Sequence, residues 1–163
     1  MPNWTHNTIQ FDNKADFEKI CSECCINGAF DFNTIIPMPE LLKFTLAGSE
    51  QWALRAFTAN YNMPGRPEDI IDRFVAYRNT DLSFEERQEL ANGIRCYREY
   101  GFDTWYEWRW TYWGTKWNAV NTQINEEKMA ISFDTAWSAP VPVFEAIAKK
   151  YPKLSCSINC QDE

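Results

Sequence analysis

Tryptophan is concentrated in one short segment of this chain, because five of its eight tryptophans lie between Trp105 and Trp117. A buried indole removes roughly 150–250 Å² from water yet needs a partner for its N–H group. Such a segment therefore either anchors a core or forms a recognition surface. The spacing of Trp105, Trp108 and Tyr112 is helical, whereas that of Trp108, Trp110 and Tyr112 is strand-like. Periodicity thus leaves both alternatives open.

Polar residues beside these tryptophans form the one candidate site that the sequence suggests. A β-hairpin would bring Lys116 and Asn118 near Asp134 and Trp137. In a structural interpretation, Gly114 permits a tight turn and Lys116 pairs with Asp134. In a functional one, aromatic faces beside a cation suit a nucleic-acid base or an exposed aromatic side chain. The candidate partner-binding residues here are Trp105, Trp108, Arg109, Trp110, Tyr112, Trp113, Lys116, Trp117, Asn118, Asp134 and Trp137.

Signatures of catalysis and of cofactor binding are scarce. His6 is the only histidine, and the sequence contains no GxSxG, P-loop, GxGxxG or HExxH motif. The pair Cys21-x-x-Cys24 with Cys25 lacks the second ligand pair of a zinc site. We therefore expect reduced, packed thiols, no cofactor, no metal and no enzymatic activity.

The charge balance is acidic, with a formal net charge of −7 from 16 Lys and Arg against 23 Asp and Glu. This balance argues against direct binding of double-stranded nucleic acid, which depends on phosphate neutralisation. The excess acid either only maintains solubility or forms a face that imitates a polyanion. The acidic candidates for such a face are Asp81, Glu85, Glu86, Glu89, Glu126 and Glu127.

The sequence shows neither a membrane-spanning segment nor a secretory signal. The mean hydropathy is −0.51, and no apolar run is long enough to span a membrane. The first residues lack a basic region followed by an apolar stretch. We expect no membrane association and a location in the bacterial cytosol.

The first forty residues predict a strand, a helix and an extended segment. Residues 4–11 alternate as a strand does, and Asn13 follows as the cap of a helix that runs to Ile26. Asn27-Gly28 is interpreted as the end of that helix. Phe30–Ile36 is predicted to be extended before the prolines that follow it.

The rest of the chain predicts three short helices, a hairpin, a helix and a strand. The helices fall between about residues 48 and 101, and a capping box at Ser83 and Glu86 opens the last of them. The hairpin is joined by a turn at residues 125–128. Ser138 is the expected cap of the next helix, and the closing strand begins at Leu154.

Without its central helices, the order of elements is strand, helix, hairpin, helix, strand. This order is typical of the split βαβ arrangement of ferredoxin-like domains, with a four-stranded antiparallel sheet. We therefore predict an α+β fold in a single domain over residues 1–163, with a helical insertion at about 40–104.

Three segments together resemble the YubB ferredoxin-like domain family of small phage and plasmid proteins. They are Phe30–Pro39, Trp113–Ala119 with the string WGTKWNA, and Thr135–Pro140 with the helix that follows. The resemblance implies a ferredoxin-like fold and an origin on a mobile element, and it brings no catalytic residues. Two departures stand out: Tyr112 replaces an Asn, and the chain stops soon after its last strand, where relatives run on.

These features lead to one functional hypothesis and two alternatives. The first is a non-enzymatic phage or plasmid accessory protein that binds a host protein, as an anti-CRISPR-like inhibitor of a bacterial defence complex. The second is a module that binds single-stranded nucleic acid or a nucleotide through the tryptophan-rich hairpin face. The third, enzymatic alternative requires Lys116, Asp134 or His6 in a pocket. The sequence leaves the partner and the oligomeric state open.

Overall fold

The computed structural model describes residues 3–162, which form two compact units. One unit is discontinuous and comprises Met1–Pro37 and Arg109–Glu163, and the other is Met38–Trp108. The first two residues and the last one, which the predicted domain includes, lie outside the described residues. The elements are β1 (Trp4–Phe11), α1 (Lys14–Cys24), β2 (Cys25–Ile26), β3 (Ala29–Phe30), α2 (Ser49–Phe57), α3 (Pro67–Arg78), α4 (Phe84–Tyr100), α5 (Trp105–Tyr112), β4 (Val120–Asn125), β5 (Ala130–Ala136), α6 (Val141–Lys150) and β6 (Cys156–Asp162), with 3₁₀ turns at Phe32–Thr34 and Glu40–Phe44.

A four-stranded antiparallel sheet organises the discontinuous unit. Its strand order is β4-β5-β1-β6, so β1 lies between the second hairpin strand and the closing strand. The predicted hairpin is β4 with β5, and the predicted closing strand is β6. The predictions of an α+β fold and of a four-stranded antiparallel sheet are confirmed.

The alternation of β1 determines which face of the sheet is covered. Every second residue from Thr5 to Phe11 is buried, as a period of two requires. Aromatic contacts connect this face to two helices, because Phe17 of α1 lies 5.8 Å from the Phe11 ring and Phe144 of α6 lies 6.3 Å from the Phe133 ring. Apart from Ala130 and Ala136, which are buried, the opposite face is half-buried or exposed and carries mainly amide and hydroxyl groups. They include Thr8, Gln10, Gln123, Asn125, Ser132, Ser157, Asn159 and Gln161.

The first helix ends two residues earlier than predicted. The side chain of Asn13 caps it as expected by accepting from the Asp16 N–H group at 2.9 Å. However, Asn27 and Gly28 both adopt left-handed backbone angles, with φ of +52° and +80°. Two such residues form the turn of a tight hairpin, so the flanking residues pair as β2 and β3.

Two further local predictions are wrong. The segment expected to be extended forms a 3₁₀ turn at Phe32–Thr34, because the side chain of Asp31 accepts from the Asn33 N–H group and caps it. Ser138 does not cap α6; Pro140 occupies that position. The Ser138 hydroxyl instead donates to the Gly114 carbonyl at 2.5 Å.

The continuous unit contains the three helices that were expected between residues 48 and 101. Ser83 and Glu86 form the predicted capping box of α4. Apolar side chains of α2, α3 and α4 form a separate core in this unit, with Leu54, Tyr61, Ile70, Ile71, Phe74, Leu90, Ala91 and Ile94 at its centre. No helix in residues 3–162 combines the length and the apolarity that crossing a membrane requires.

A buried carboxylate connects the start of α5 to α2. Asp103 is fully buried, and its Oδ2 atom accepts from Arg55 Nε at 3.1 Å and from the Tyr61 hydroxyl. Arg55 also donates to Glu107 at 2.7 Å. This network satisfies the charge of Asp103, so we assign it to stability of the continuous unit and not to a site.

Candidate functional site

The indole of Trp113 belongs to the core of the discontinuous unit. It is fully buried, and its Nε1–H donates to the carbonyl of Ile36 at 2.9 Å. Its ring meets that of Phe32 edge-on at 5.6 Å. A buried indole whose N–H is satisfied has a structural role, so Trp113 is unavailable to a partner.

Asn118 connects two of the segments that carry the family resemblance. Its Oδ1 accepts from the Phe32 N–H group at 2.9 Å, and its Nδ2 donates to Asp31 Oδ1 at 2.7 Å. The same Oδ1 also accepts from the Ala119 N–H group. The amide therefore holds the 3₁₀ turn at Phe32–Thr34 against the start of β4, which explains the presence of Asn at this position.

Gly114 and Thr115 fix the loop between α5 and β4. The Thr115 hydroxyl is buried and donates to the Ala136 carbonyl at 2.9 Å. Gly114 has a φ of +74°, and a Cβ atom there would lie 2.7 Å from Pro142 Cδ. Glycine is needed at this position for its backbone angle and for its small size.

Lys116 and Trp117 form a group with two tryptophans from other segments, and we call it the tryptophan cluster: Trp4, Lys116, Trp117 and Trp137. Trp137 is exposed, and the other three residues are half-buried. The ammonium of Lys116 lies 5.0 Å from the Trp117 ring centre and 5.1 Å from that of Trp137. The ring of Trp4, on β1, lies 5.9 Å from that of Trp117. Three distant stretches of the chain thus contribute to one aromatic group around a cation.

The backbone of Trp137 is unusual for a bulky residue. Its φ is +71°, in the left-handed region, and its N–H group donates to the Asn3 carbonyl at 2.9 Å. Its side chain is nevertheless 45% exposed. The left-handed conformation costs about 1–2 kcal/mol for a residue with a Cβ atom, and almost half of the indole that it positions stays open to water.

An acid–base pair lies on the open face of the sheet. Nδ1 of His6 lies 2.8 Å from Oδ1 of Asp134, and Asn121 donates to the other carboxylate oxygen at 2.9 Å. Burial raises the pKa of Asp134, but the hydrogen bonds from Asn121 and His6 outweigh this effect and lower it below 3.8. The side chain of His6 is 57% exposed and that of Asp134 is 22% exposed, so water reaches this pair mainly at His6. The residues that hold Asp134 are thus His6 and Asn121, whereas Lys116 lies over the indoles.

The helix α5 divides the other aromatic candidates between the interior and the surface. Trp108 is buried, and Trp105 and Arg109 are half-buried. The guanidinium of Arg109 lies 5.1 Å from the Trp113 ring, and burial lowers its pKa. Trp110 and Tyr112 are 45% and 42% exposed. The segment is therefore partly core and partly surface.

The acidic candidates do not form one group along the chain. Asp81, Glu85, Glu86 and Glu89 belong to the continuous unit, whereas Glu126 and Glu127 occupy the exposed turn of the β4–β5 hairpin. Glu86 has a structural role because its carboxylate accepts from the Ser83 N–H group at 2.8 Å.

The expectation of packed thiols holds for Cys24 and Cys96, which are buried, whereas Cys160 is exposed and the other three are half-buried. Burial raises the pKa of Cys25 to about 12 and that of Cys96 to about 11. Within the described residues, no group of three or more His, Cys, Asp or Glu is placed to hold a metal ion. Cys24 lies on the buried face of α1 together with Phe17 and Ile20, and it is fully buried.

Sequence reasoning missed the contribution of Trp4 and Asn121. Trp4 lies on the face of β1 opposite the buried one. An indole among the polar residues of that face could have been recognised in the sequence as a candidate contact residue. Asn121 was not detectable, because its contact with Asp134 depends on the irregularity in β4 between Val120 and Gln123.

Comparison with known proteins gives a match over the last third of the chain. Residues 112–163 match the family model described as a ferredoxin-like domain in Api92-like protein. This stretch, less than half of the chain, includes the β4–β5 hairpin, α6 and β6. It is thus similar to a ferredoxin-like domain, and the narrower YubB resemblance is not part of this match. No curated protein and no solved structure matches the chain.

Proposed function

We propose that this chain is a non-enzymatic accessory protein of a phage or plasmid that binds and inhibits a bacterial defence complex, with the tryptophan cluster as its main contact. The proposal includes membership of the YubB family and a split βαβ topology. The strand order β4-β5-β1-β6 and the motif segments support this finer assignment.

The observation that carries the proposal is the conformation of Trp137. A left-handed backbone holds the indole of Trp137 where 45% of the residue remains exposed. Local strain of this kind is concentrated at functional positions. Tryptophan is also one of the residues enriched among those that dominate binding energy at interfaces. A surface for a protein partner explains why the cost is retained.

The charge of the chain favours a basic partner surface. With a net charge of −7, the chain is attracted to surfaces that otherwise receive nucleic acid, as in CRISPR effector complexes. Glu126 and Glu127 are exposed in the same unit as the tryptophan cluster. Occlusion of a nucleic-acid channel would inhibit such a complex without any catalytic chemistry.

The test uses the purified chain and a panel of purified CRISPR effectors loaded with guide RNA. Binding is measured by biolayer interferometry, and inhibition is measured as loss of target DNA binding. We expect Trp137→Ala to weaken the affinity of a responsive effector by about 2 kcal/mol or more, the range of interface hot spots.

Trp110→Ala is the matched control, because Trp110 is equally exposed at 45%. It should leave the affinity nearly unchanged. Binding lost with Trp110→Ala and retained with Trp137→Ala would move the interface to α5 and refute the role of the cluster. If no effector in the panel binds, the defence-inhibitor proposal fails.

Charge reversal tests the acidic contribution separately. Glu126→Lys with Glu127→Lys should reduce the association rate and its salt dependence. On the continuous unit, Glu85→Lys with Glu89→Lys tests the other acidic group. Glu86 should be left intact, because its replacement would also remove the cap of α4.

A second candidate function is the binding of single-stranded nucleic acid or a nucleotide. The stacking of Lys116 on two indoles favours it, since aromatic faces beside a cation accept bases of any sequence. Titration of tryptophan fluorescence with oligonucleotides at low salt tests it. Saturable quenching that Trp137→Ala abolishes would favour this function, and constant fluorescence would exclude it.

A further inference from the structure

The two edges of the sheet differ in how well they are protected against further pairing. β4 has a register irregularity between Val120 and Gln123, and Asn121 has a φ of +52°. Thr122 also accepts a hydrogen bond from the Phe30 N–H group at 3.1 Å. Bulges and side contacts of this kind prevent an edge from accepting another strand.

The other edge, β6, has none of these features. Its seven residues contain no proline and no lysine, and they pair with β1 in an uninterrupted register. An edge strand that is long, regular and nearly uncharged is suited to pair with another strand. Ile158 adds an apolar side chain that is 42% exposed.

The backbone groups that face this free edge can be identified. The N–H of Asp12 donates to the carbonyl of Ser155 at 3.1 Å. Hydrogen-bonded and non-hydrogen-bonded pairs alternate along antiparallel strands. Ser155 directs its backbone groups toward β1. Its neighbour Cys156, and every second residue after it, therefore direct their N–H and C=O groups away from β1. These residues are Cys156, Ile158, Cys160 and Asp162.

An apolar groove continues the same edge on its helix side. It has a volume of about 250 Å³ and separates α6 from β6. Its lining includes Phe144, Ile147, Leu154 and Ile158. A strand added to β6 would place alternate side chains beside this groove.

The charges at the two ends of β6 indicate the occupant. Lys149, Lys150 and Lys153 lie before the strand and are exposed, whereas Asp162 lies at its end. In a second copy that runs antiparallel, the acidic end of β6 lies beside the basic end of the first copy. The basic end of the second copy then lies beside the acidic end of the first. The strand is therefore complementary to itself, as a two-fold interface requires.

We propose that two copies of this chain associate through antiparallel pairing of β6, with the two-fold axis at Asn159. In this register Ile158 is opposite the second copy's Cys160, and Cys156 is opposite its Asp162. All the outward backbone groups then form hydrogen bonds, and the two sheets become one continuous sheet. The interface lies on β6 and is separate from the tryptophan cluster, so its test is independent of the proposed function.

Mass in solution gives the first test. Sedimentation equilibrium of the full chain should show, as concentration rises, a species of twice the 19.2 kDa of one chain. Cys160→Pro removes one outward N–H group but no hydrogen bond to β1, and it should shift the mass to that of one chain. Cys160→Ala is the matched control and should remain dimeric. A monomer at every concentration, or a dimer that Cys160→Pro does not dissociate, would refute the proposal.

Cross-linking tests the register and does not depend on the proline variant folding. In a background of Cys156→Ser and Cys160→Ser, Asn159→Cys places two thiols at a non-hydrogen-bonded pair, where the spacing suits a disulfide. Ser157→Cys places them four residues out of register. A disulfide-linked dimer with Asn159→Cys and not with Ser157→Cys supports the register. Equal cross-linking, or none with either variant, overturns it.

Discussion

The loop that carries the WGTKWNA string has no space for a side chain at Gly114. We therefore expect Gly114→Ala to lower the free energy of unfolding more than alanine at a glycine with open space around it. A Cβ atom at Gly114 would lie 2.7 Å from Pro142 Cδ, whereas one at Gly28 would meet nothing within 4 Å. Both glycines have left-handed backbones, with φ of +74° and +80°. The two positions therefore differ mainly in crowding.

The expected magnitudes follow from this difference. Alanine in the left-handed region costs about 1–2 kcal/mol at either position. Forcing a methyl group against a packed ring adds about 1–3 kcal/mol at Gly114 only. We therefore expect Gly114→Ala to lower the free energy of unfolding by about 2–5 kcal/mol, and Gly28→Ala by about 1–2 kcal/mol.

Urea denaturation of both variants is the assay, with amide hydrogen exchange as a local readout for the discontinuous unit. Exchange resolves local opening that a global transition conceals in a chain with two units. Pro142→Ala combined with Gly114→Ala should recover part of the loss, because the clashing ring is gone. Equal destabilisation of the two single variants, or no recovery in the double variant, would refute the crowding argument.

Two further predictions concern hydrogen bonds within the discontinuous unit. Asn118→Ala removes the acceptor of the Phe32 N–H group, and it should lower the free energy of unfolding by about 1–3 kcal/mol. Gln123→Ala is the exposed control, and equal unfolding midpoints of the two variants would contradict this prediction. Asp16 accepts from the Ser155 N–H group at 3.0 Å, and this bond lowers its pKa below 3.8. A carboxylate with a lowered pKa stabilises the fold above about pH 3.8, and this stability is lost as the pH falls through its folded pKa. Titration of the Asp16 carboxyl by carbon NMR should give a midpoint below 3.8, and one at or above 3.8 would contradict the assignment.

Local signals in the sequence predicted most of the elements. The alternation in β1, the capping box of α4 and the hairpin of β4 and β5 each depend on residues close in the chain, and the structure contains all three. The wrong predictions are also local. The Asn27-Gly28 sequence is compatible with the end of a helix and with a hairpin turn, and the structure contains the turn. Ser138 is compatible with a helix cap, but its hydroxyl donates to the Gly114 carbonyl instead.

The function of the tryptophans, in contrast, could not be decided from the sequence. Trp110 and Trp113 stand in similar aromatic surroundings along the chain, yet Trp113 is fully buried and Trp110 is 45% exposed. The difference arises because Phe32 and Ile36, which are distant in sequence, cover Trp113.

The sequence by itself thus determined which residues alternate, cap and turn, because these properties depend on neighbours within a few positions. Only the tertiary structure decided that Trp4, Lys116, Trp117 and Trp137 form one group, and that Trp137 is its exposed member. It also decided that β6 is an edge strand. Exposure and strand order depend on contacts between distant parts of the chain, and no short pattern of residues specifies them.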